Sequence, residues 1–468
     1  MFRTALFLLS GNAGTSLLSF LRNLLIASFI SVEDYGIAAT FAMVILLVEH
    51  ASALGMDKQI VQSKKGGDPR YQAALQGFNV LRGLMAGAAL FFAAGWIAEF
   101  LGIPEVTWAY QLLALIPISR GLVHFDVHRL KRQMRFGPFI LTKLLPVLVS
   151  LFVIWPALLW LEDYRAMLAA VGVQYAMMLL VSHLVAERPY RLSLNGPFMV
   201  EALKFGWPLL INSLLLYIVF NGEKLIVGRA LGMADLGTLA MGITLTLTPA
   251  LVMAKSLQNF FLPQISALQD QAEAFQTMFL VITQCVFFCS ALVLFLSIVL
   301  IPPFISLALG TEYASLIGLI IWLAILQTIR VLKTGPLVTA IAAGQTTNPM
   351  IANLMLVLVL PVAWWVAVQF GQIDLILFVV IAGEVLGFVV SILLVKYRLR
   401  LSLRRLLGPG MAILAVILGS TAYAMLTSET VPLWLRLAAP LLPLILSFRL
   451  MPELQVYIRK RDLVRATT

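Results

Sequence analysis

Residues 19–36 read SFLRNLLIASFISVEDYG. Arg22, a permanent cation, stands inside an apolar run that ends in the acidic group Glu33-Asp34-Tyr35-Gly36, which reads as a tight outside-facing turn whose glycine permits the bend. The same shape returns 201 positions later, where LIVGRALGMADLGTLA (225–240) aligns with LLIASFISVEDYGIAA (24–39). Leu24, Asp34, Gly36 and Ala39 match Leu225, Asp235, Gly237 and Ala240, and the positions between correspond in apolar character. Arg22 and Asn23 fall opposite Glu223 and Lys224. Both copies close a run that leads outward, so the two halves have the same sense. A repeat of this kind implies a pseudo-two-fold axis along the membrane normal, with a substrate path between two bundles.

Composition supplies the membrane. The 468 residues are 61% hydrophobic and 12% charged, with a mean hydropathy of +0.97. Soluble domains carry about 25% charged residues, so this chain cannot cover a soluble surface. The reading is an all-α polytopic membrane protein. Fourteen apolar segments can be marked, at about 4–30, 36–61, 72–98, 107–127, 138–160, 166–186, 205–228, 236–262, 275–307, 314–342, 350–369, 375–395, 408–426 and 433–448. The first run leads directly into the next and reads as an uncleaved helix rather than a secretory signal. The division expected is 1–190 for a first six-helix bundle, 191–396 for a second, and 397–468 for two further helices with a basic tail. Cys285 and Cys289, four apart in one apolar run, read as small core residues. The four histidines are scattered and form no metal-ligand pair.

Charge sets the orientation. With the N-terminus in the cytoplasm, cytoplasmic connections hold Arg3; Lys64, Lys65 and Arg70; Arg129, Lys131, Arg132 and Arg135; Arg188, Arg191 and Lys204; Lys396, Arg398, Arg400, Arg404 and Arg405; and Arg449, Arg459, Lys460, Arg461 and Arg465. The opposite connections hold Arg165, Arg229 and Arg436. This bias follows the positive-inside rule and places both termini in the cytoplasm. The net charge of +11 is then a topology signal and a contact for anionic phospholipid. Basic runs placed between spans argue against a nucleic-acid partner.

Nine cations remain inside the spans: Arg22, Lys58, Arg82, Arg120, Lys143, Lys224, Lys255, Arg330 and Lys333. Five acids accompany them: Glu49, Asp57, Asp126, Glu223 and Glu384. A charge at mid-span costs about 2.5–3.5 kcal/mol on the insertion scale and therefore faces a cavity or a partner. Asp57, Lys58, Asp126 and Lys143 lie near span ends, where long stems reach the headgroups. Arg22, Glu49, Arg82, Arg330 and Glu384 lie deeper. In the first span Gly11, Asn12, Thr15, Ser16, Ser19, Arg22 and Asn23 form one polar stripe at helical spacing. Helix packing accounts for the small members of that stripe but not for Arg22.

Several motifs now resemble a known family. Arg22 followed by FISVEDYG and then by ALGMDKQIVQ (53–62) resembles the bacterial Wzx-type oligosaccharide flippases, the polysaccharide biosynthesis export proteins. HRLKRQMRFGPF (128–139), NGEKLIVGRALGMADLG (221–237) and AAGQTTNP (342–349) are similar to further stretches of that family, with Val227-Gly228 in place of its Ile-Gly pair. The resemblance implies the multidrug/oligosaccharidyl-lipid/polysaccharide flippase superfamily fold. It implies transfer of an undecaprenyl-pyrophosphate-linked oligosaccharide, an O-antigen or exopolysaccharide repeat unit, from the cytoplasmic to the periplasmic leaflet of the bacterial inner membrane. Wzx-type members commonly have twelve spans; the extra pair resembles the related lipid II flippases.

The implied cargo carries a pyrophosphate, which a guanidinium fork binds well. Arg22, Arg82, Arg330 and Lys333 are expected to line the cavity that receives it, with Lys224 helping Arg22. Arg120 and His124, on one helical face, are expected nearer the cytoplasmic mouth, and Asn12 and Asn23 complete the polar lining. Glu49, Glu384 and Glu223 are candidates for ion coupling or for plain ion pairs, Arg22–Glu49 among them. No cofactor or metal is expected, and the chain is expected to act as a monomer beside glycan polymerase and glycosyltransferase partners. Two rivals share parts of this pattern. A multidrug antiporter of the superfamily favours an acidic cavity. A membrane-embedded polymerase or glycosyltransferase needs a large outer catalytic loop, whereas the outer connections here are short.

Overall fold

The computed structural model describes residues 2–426, 444–445 and 447–466. The described residues are helical, with no strand among them. In chain order the helices are α1 (Phe2–Phe29), α2 (Val32–Ala51), α3 (Met56–Gln62), α4 (Pro69–Leu101), α5 (Thr107–Leu113), α6 (Leu115–Leu122), α7 (Asp126–Arg132), α8 (Gly137–Leu161) and α9 (Arg165–Leu184). They continue with α10 (Gly196–Ala230), α11 (Met233–Ser266), α12 (Ala272–Ala308), α13 (Ala314–Leu332), α14 (Thr334–Ala342), α15 (Thr347–Phe370), α16 (Ile373–Arg398), α17 (Leu407–Leu426) and α18 (Pro452–Ala466).

Ten helices among the described residues are long and apolar enough to cross a bilayer, and two bent pairs raise the number to 12. The expected count of fourteen is not reached among them. α1 offers the shorter apolar stretch Ala13–Phe29, and most of the last expected segment, 433–448, lies outside the described residues. Phe92, Trp96, Trp160 and Leu307 are more than three-quarters exposed, an arrangement that lipid tolerates and water does not. The chain is a multi-pass membrane protein.

Contacts divide the chain into two units, Met1–Gly237 and Thr238–Thr468. In the first, α8 packs along α9 and α1, α4 packs along α6, and α10 packs on α2 and α4. A core of Leu54, Ile60, Tyr71, Leu75, Phe125 and Ala202 joins α3, α4, α7 and α10. In the second unit α12 packs on α13, α17 and α18, and α15 on α16. Phe279, Ile282 and Val286 fill its core from α12, with Cys285 and Cys289 packed beside them as free thiols. Gln284, wholly buried on α12, docks the last helix: its Oε1 accepts the Leu454 N–H at 3.0 Å and its Nε2 donates to Glu453. A side chain from another helix thereby satisfies an N-terminal donor of α18.

The EDYG group is not a bend. The chain turns at Ile30–Ser31, and Glu33 and Asp34 belong to the first turn of α2. Ser31 caps that turn, its hydroxyl accepting the Asp34 N–H at 3.1 Å, and the two acids suit a helix N-terminus. Gly36 is helical, and its missing side chain serves close approach instead. A Cβ on Gly36 would stand on the Met233 carbonyl, and one on Gly237 would stand on the Val32 carbonyl. Both members of each pair, Val32 with Met233 and Gly36 with Gly237, differ by the 201 positions of the sequence repeat. The starts of α2 and α11 thus meet reciprocally, as a local two-fold requires.

Candidate functional site

Two spans of the first unit are broken. α2 passes to α3 with a bend of 47°, and the span ending in α6 passes to α7 with a bend of 49°. A break frees backbone groups that hydrocarbon cannot satisfy, so protein must. At the first break Gly55 takes a left-handed φ of 60°. Arg82 reaches across from α4, its Nη1 donating to the carbonyl and the hydroxyl of Ser52 at 3.1 Å each. At the second, Asn79 Nδ2 donates to the carbonyls of Arg120 (3.2 Å) and Gly121 (3.0 Å), and Gln76 Nε2 donates to that of Val123 (3.2 Å). Gln76 Oε1 accepts the Phe125 N–H at 2.7 Å, and the Ser182 hydroxyl accepts that of His124 at 3.1 Å. Gly83 and Gly121 let α4 and α6 approach closely enough for this, since a Cβ on either would meet the other's backbone.

Beside the breaks lies a cavity of about 430 Å³. Its wall carries Lys58, Arg82, Arg120, Lys131 and Lys143 against two carboxylates, Glu49 and Asp57. Glu49 is engaged: Arg120 pairs with it, and the Tyr175 hydroxyl donates to it at 3.1 Å. The Lys131 and Lys143 ammonium groups stand over the Phe139 ring, at 4.6 and 4.4 Å from its centre. Arg82 Nε and His128 Nδ1 are buried with no hydrogen-bond partner. The excess of cations and the spare Arg82 N–H suit an anion with many acceptor oxygens.

The basic stretch 128–139 divides its labour along α7. Arg129 pairs with Asp126 and, at 3.2 Å, with Glu187. Arg132 donates to the carbonyls of Val61 (2.8 Å), Ile60 (3.3 Å) and Ser63, closing the C-terminus of α3. Arg135 pairs with Glu187 at 2.5 Å. His128 and Lys131, on another side, enter the cavity wall. Asp126 is fully buried yet well supplied, accepting Gln72 Nε2 (3.2 Å), the N–H groups of Glu187 (2.9 Å) and Arg188 (3.2 Å), and the Arg129 guanidinium.

The other expected site residues lie elsewhere. Arg22 is buried with neutral partners, donating to the Ser150 hydroxyl at 3.2 Å and to Gln174, while its Nε has none. The Arg22–Glu49 pair weighed from the sequence does not form; Glu49 serves Arg120 instead. Asn23 Oδ1 is buried without a partner, and the side chain of Asn12 lies outside what the structure describes. Lys224 donates to Asn221 at 3.3 Å, next to a fully buried Glu223. In the second unit Arg330 and Lys333 both hold buried Glu384, at 2.8 Å each, and Lys333 also donates to Asn353 at 3.0 Å. Arg120 and His124 do not share a face, because the helix breaks between them at Val123. His124 packs in a ring cluster with His183 and Tyr190, 5.3 Å from each.

Sequence reasoning missed Lys58, Lys131, Lys143 and His128 as wall residues. The first three were assigned to headgroups or a connecting loop by distance from a span end, which supposes an unbroken helix. The polar pair Gln76 and Asn79 inside the fourth helix was the available signal. Among the described residues no group of three or more His, Cys, Asp or Glu is placed to hold a metal ion.

A family model described as "Polysaccharide biosynthesis protein" matches residues 25–318. No curated protein matches the chain. Among solved structures it is similar to the lipid II flippase MurJ in an inward closed conformation, with 15% identity and a TM-score of 0.70 over 98% of this chain and 100% of that one. It is similar to an inward-facing multidrug resistance MATE family transporter of the MOP superfamily, with 14% identity and a TM-score of 0.69 over 82% of this chain and 94% of that one. A third likeness is to a MOP superfamily transporter from Pyrococcus furiosus whose binding pocket is described as of reverse polarity, with 14% identity and a TM-score of 0.56 over 85% of this chain and 95% of that one. At these identities the likeness establishes the fold, that of the MOP superfamily transporters.

Proposed function

The chain belongs to the polysaccharide biosynthesis protein family, and from that premise we propose that it flips a polyprenyl-diphosphate-linked oligosaccharide, an O-antigen or exopolysaccharide repeat unit, across the bacterial inner membrane. It is a membrane transporter of the MOP superfamily rather than an enzyme. The observation that carries the proposal is the cavity wall, with five cations against two carboxylates, one of them already paired. A diphosphate diester brings roughly two negative charges, and removing them from water unaided costs far more than a transporter can recover. Forks from Arg82 and Arg120 and ammonium groups from Lys58, Lys131 and Lys143 replace the lost hydration. The polyprenyl tail stays in lipid and the sugars follow the diphosphate.

In this reading Arg22, Lys224, Asn12 and Asn23 are proposed as further polar contacts for the cargo. Arg330 and Lys333 contribute from the second half, with Glu384 as the counter-ion they exchange for cargo. Glu49, Glu223 and Glu384 are the candidates for ion coupling. The repeat at 24–39 and 225–240 supports bundles at 1–190 and 191–396, with 397–468 appended, and alternating access by rocking. The distribution of basic connections supports cytoplasmic termini and a contact with anionic phospholipid. Glycosyltransferases and a polymerase that make and consume the cargo are the expected partners of a monomeric flippase.

A multidrug antiporter is the second reading, favoured by the likeness in fold to the MATE transporter. A cationic wall repels the cationic drugs such a protein would carry. The two readings separate in a strain lacking this chain. Arg82→Ala and the double variant Lys131→Ala/Lys143→Ala, at normal membrane levels, should leave lipid-linked sugar in the cytoplasmic leaflet without altering drug tolerance. Normal export by both variants would sink the proposal.

A further inference from the structure

Lys131 and Lys143 reach the cavity from different helices, α7 and α8, yet meet at one side chain. Their ammonium nitrogens lie 4.6 and 4.4 Å from the centre of the Phe139 ring, so they are at most 9.0 Å apart. The His128 ring lies 6.4 Å from the same centre. All four side chains belong to the cavity wall. Other cations are held by carboxylates, Arg120 by Glu49 and Arg330 and Lys333 by Glu384, or by neutral groups, Arg82 by Ser52 and Arg22 by Ser150 and Gln174. A carboxylate orients a cation but cancels its charge toward an incoming anion. An aromatic face orients an ammonium group through its quadrupole and adds no negative charge to the wall.

We propose that Phe139 is a positioning residue for the cargo anion, its ring setting the Lys131 and Lys143 ammonium groups as a paired receptor for two adjoining phosphoryl groups. The inference rests on the diphosphate reading of the cavity. One ammonium group can attend each phosphoryl of a diphosphate, whereas a single phosphate leaves the pair half used. Pre-setting two flexible lysine stems also lowers the ordering cost of binding. A ring in the wall therefore confers preference for diphosphate over monophosphate, a property that a packing role alone does not produce.

The test uses the full chain in lipid nanodiscs and titrates inorganic pyrophosphate and orthophosphate at fixed ionic strength. Phe139→Leu is expected to weaken pyrophosphate binding by about tenfold with little change for orthophosphate, and Phe139→Trp to restore it. Phe139→Met, flexible and without a π face, replaces the leucine variant if that one does not fold. Pyrophosphate affinity unchanged in the variant without a ring, or a loss that Phe139→Trp does not restore, overturns the role of Phe139. If Lys131→Ala still weakens pyrophosphate binding, the diphosphate reading of the cavity survives that result. Failure of the unaltered chain to prefer pyrophosphate overturns both.

Discussion

Arg82 shows how little a charge inside a span reveals until its neighbours are known. The same guanidinium satisfies the Ser52 carbonyl at a helix break and lines the cavity with an unpartnered Nε. Arg82→Lys keeps the charge but loses the fork. It is expected to retain part of the transport that Arg82→Ala loses, measured as glycan exported per unit of protein in the membrane. Equal loss in both variants would place the geometry, not the charge, in control. Glu384 presents the opposite case. It is wholly buried and holds both Arg330 and Lys333, so Glu384→Gln leaves two cations short of a counter-charge. The expected cost is about 3–5 kcal/mol, seen as a lowered thermal midpoint in detergent. An unchanged midpoint would show that the cations find other partners.

Elements were legible in the sequence to different degrees. Long apolar runs translated directly into long helices, because a span must close its own backbone hydrogen bonds. The breaks were hidden, because the residues at them, Ala53, Leu54 and Val123 among others, are as apolar as the helices they interrupt. What sustains each break comes from another element: Arg82, Gln76 and Asn79 from α4, and Ser182 from α9. A single run cannot disclose such support. The EDYG group misled for a related reason, since its glycine answers to a neighbouring helix rather than to its own backbone. The buried Asp126 ties α7 to the chain beyond α9 through the N–H groups of Glu187 and Arg188, and to α4 through Gln72. Asp126→Ala should destabilise the first unit by about 3–5 kcal/mol, since it removes the buried partner of Arg129 and leaves only the exposed Glu187 carboxylate as its counter-charge. Protease sensitivity between residues 185 and 195 should rise with it, and an unaltered cleavage pattern would contradict this role.

At the scale of the whole molecule the repeat has a physical signature. Gly36 and Gly237 occupy equivalent places and exclude a Cβ for the same reason, each facing the other copy's backbone carbonyl. Gly36→Ala and Gly237→Ala should each part the starts of α2 and α11, at a cost of about 1–3 kcal/mol from overpacking. A disulfide between Val32→Cys and Met233→Cys should form readily in the unaltered background and poorly with either alanine. Equal yields would remove the reciprocal contact from the argument. The wall of cations carries the functional claim, and its most direct test is leaflet-resolved labelling of polyprenyl-diphosphate-linked sugar in cells. Cells carrying Lys131→Ala/Lys143→Ala with the protein at normal levels should hold the labelled lipid in the cytoplasmic leaflet, as cells without the chain do. Labelled lipid reaching the outer leaflet at the unaltered rate would contradict the claim that this cavity carries the diphosphate.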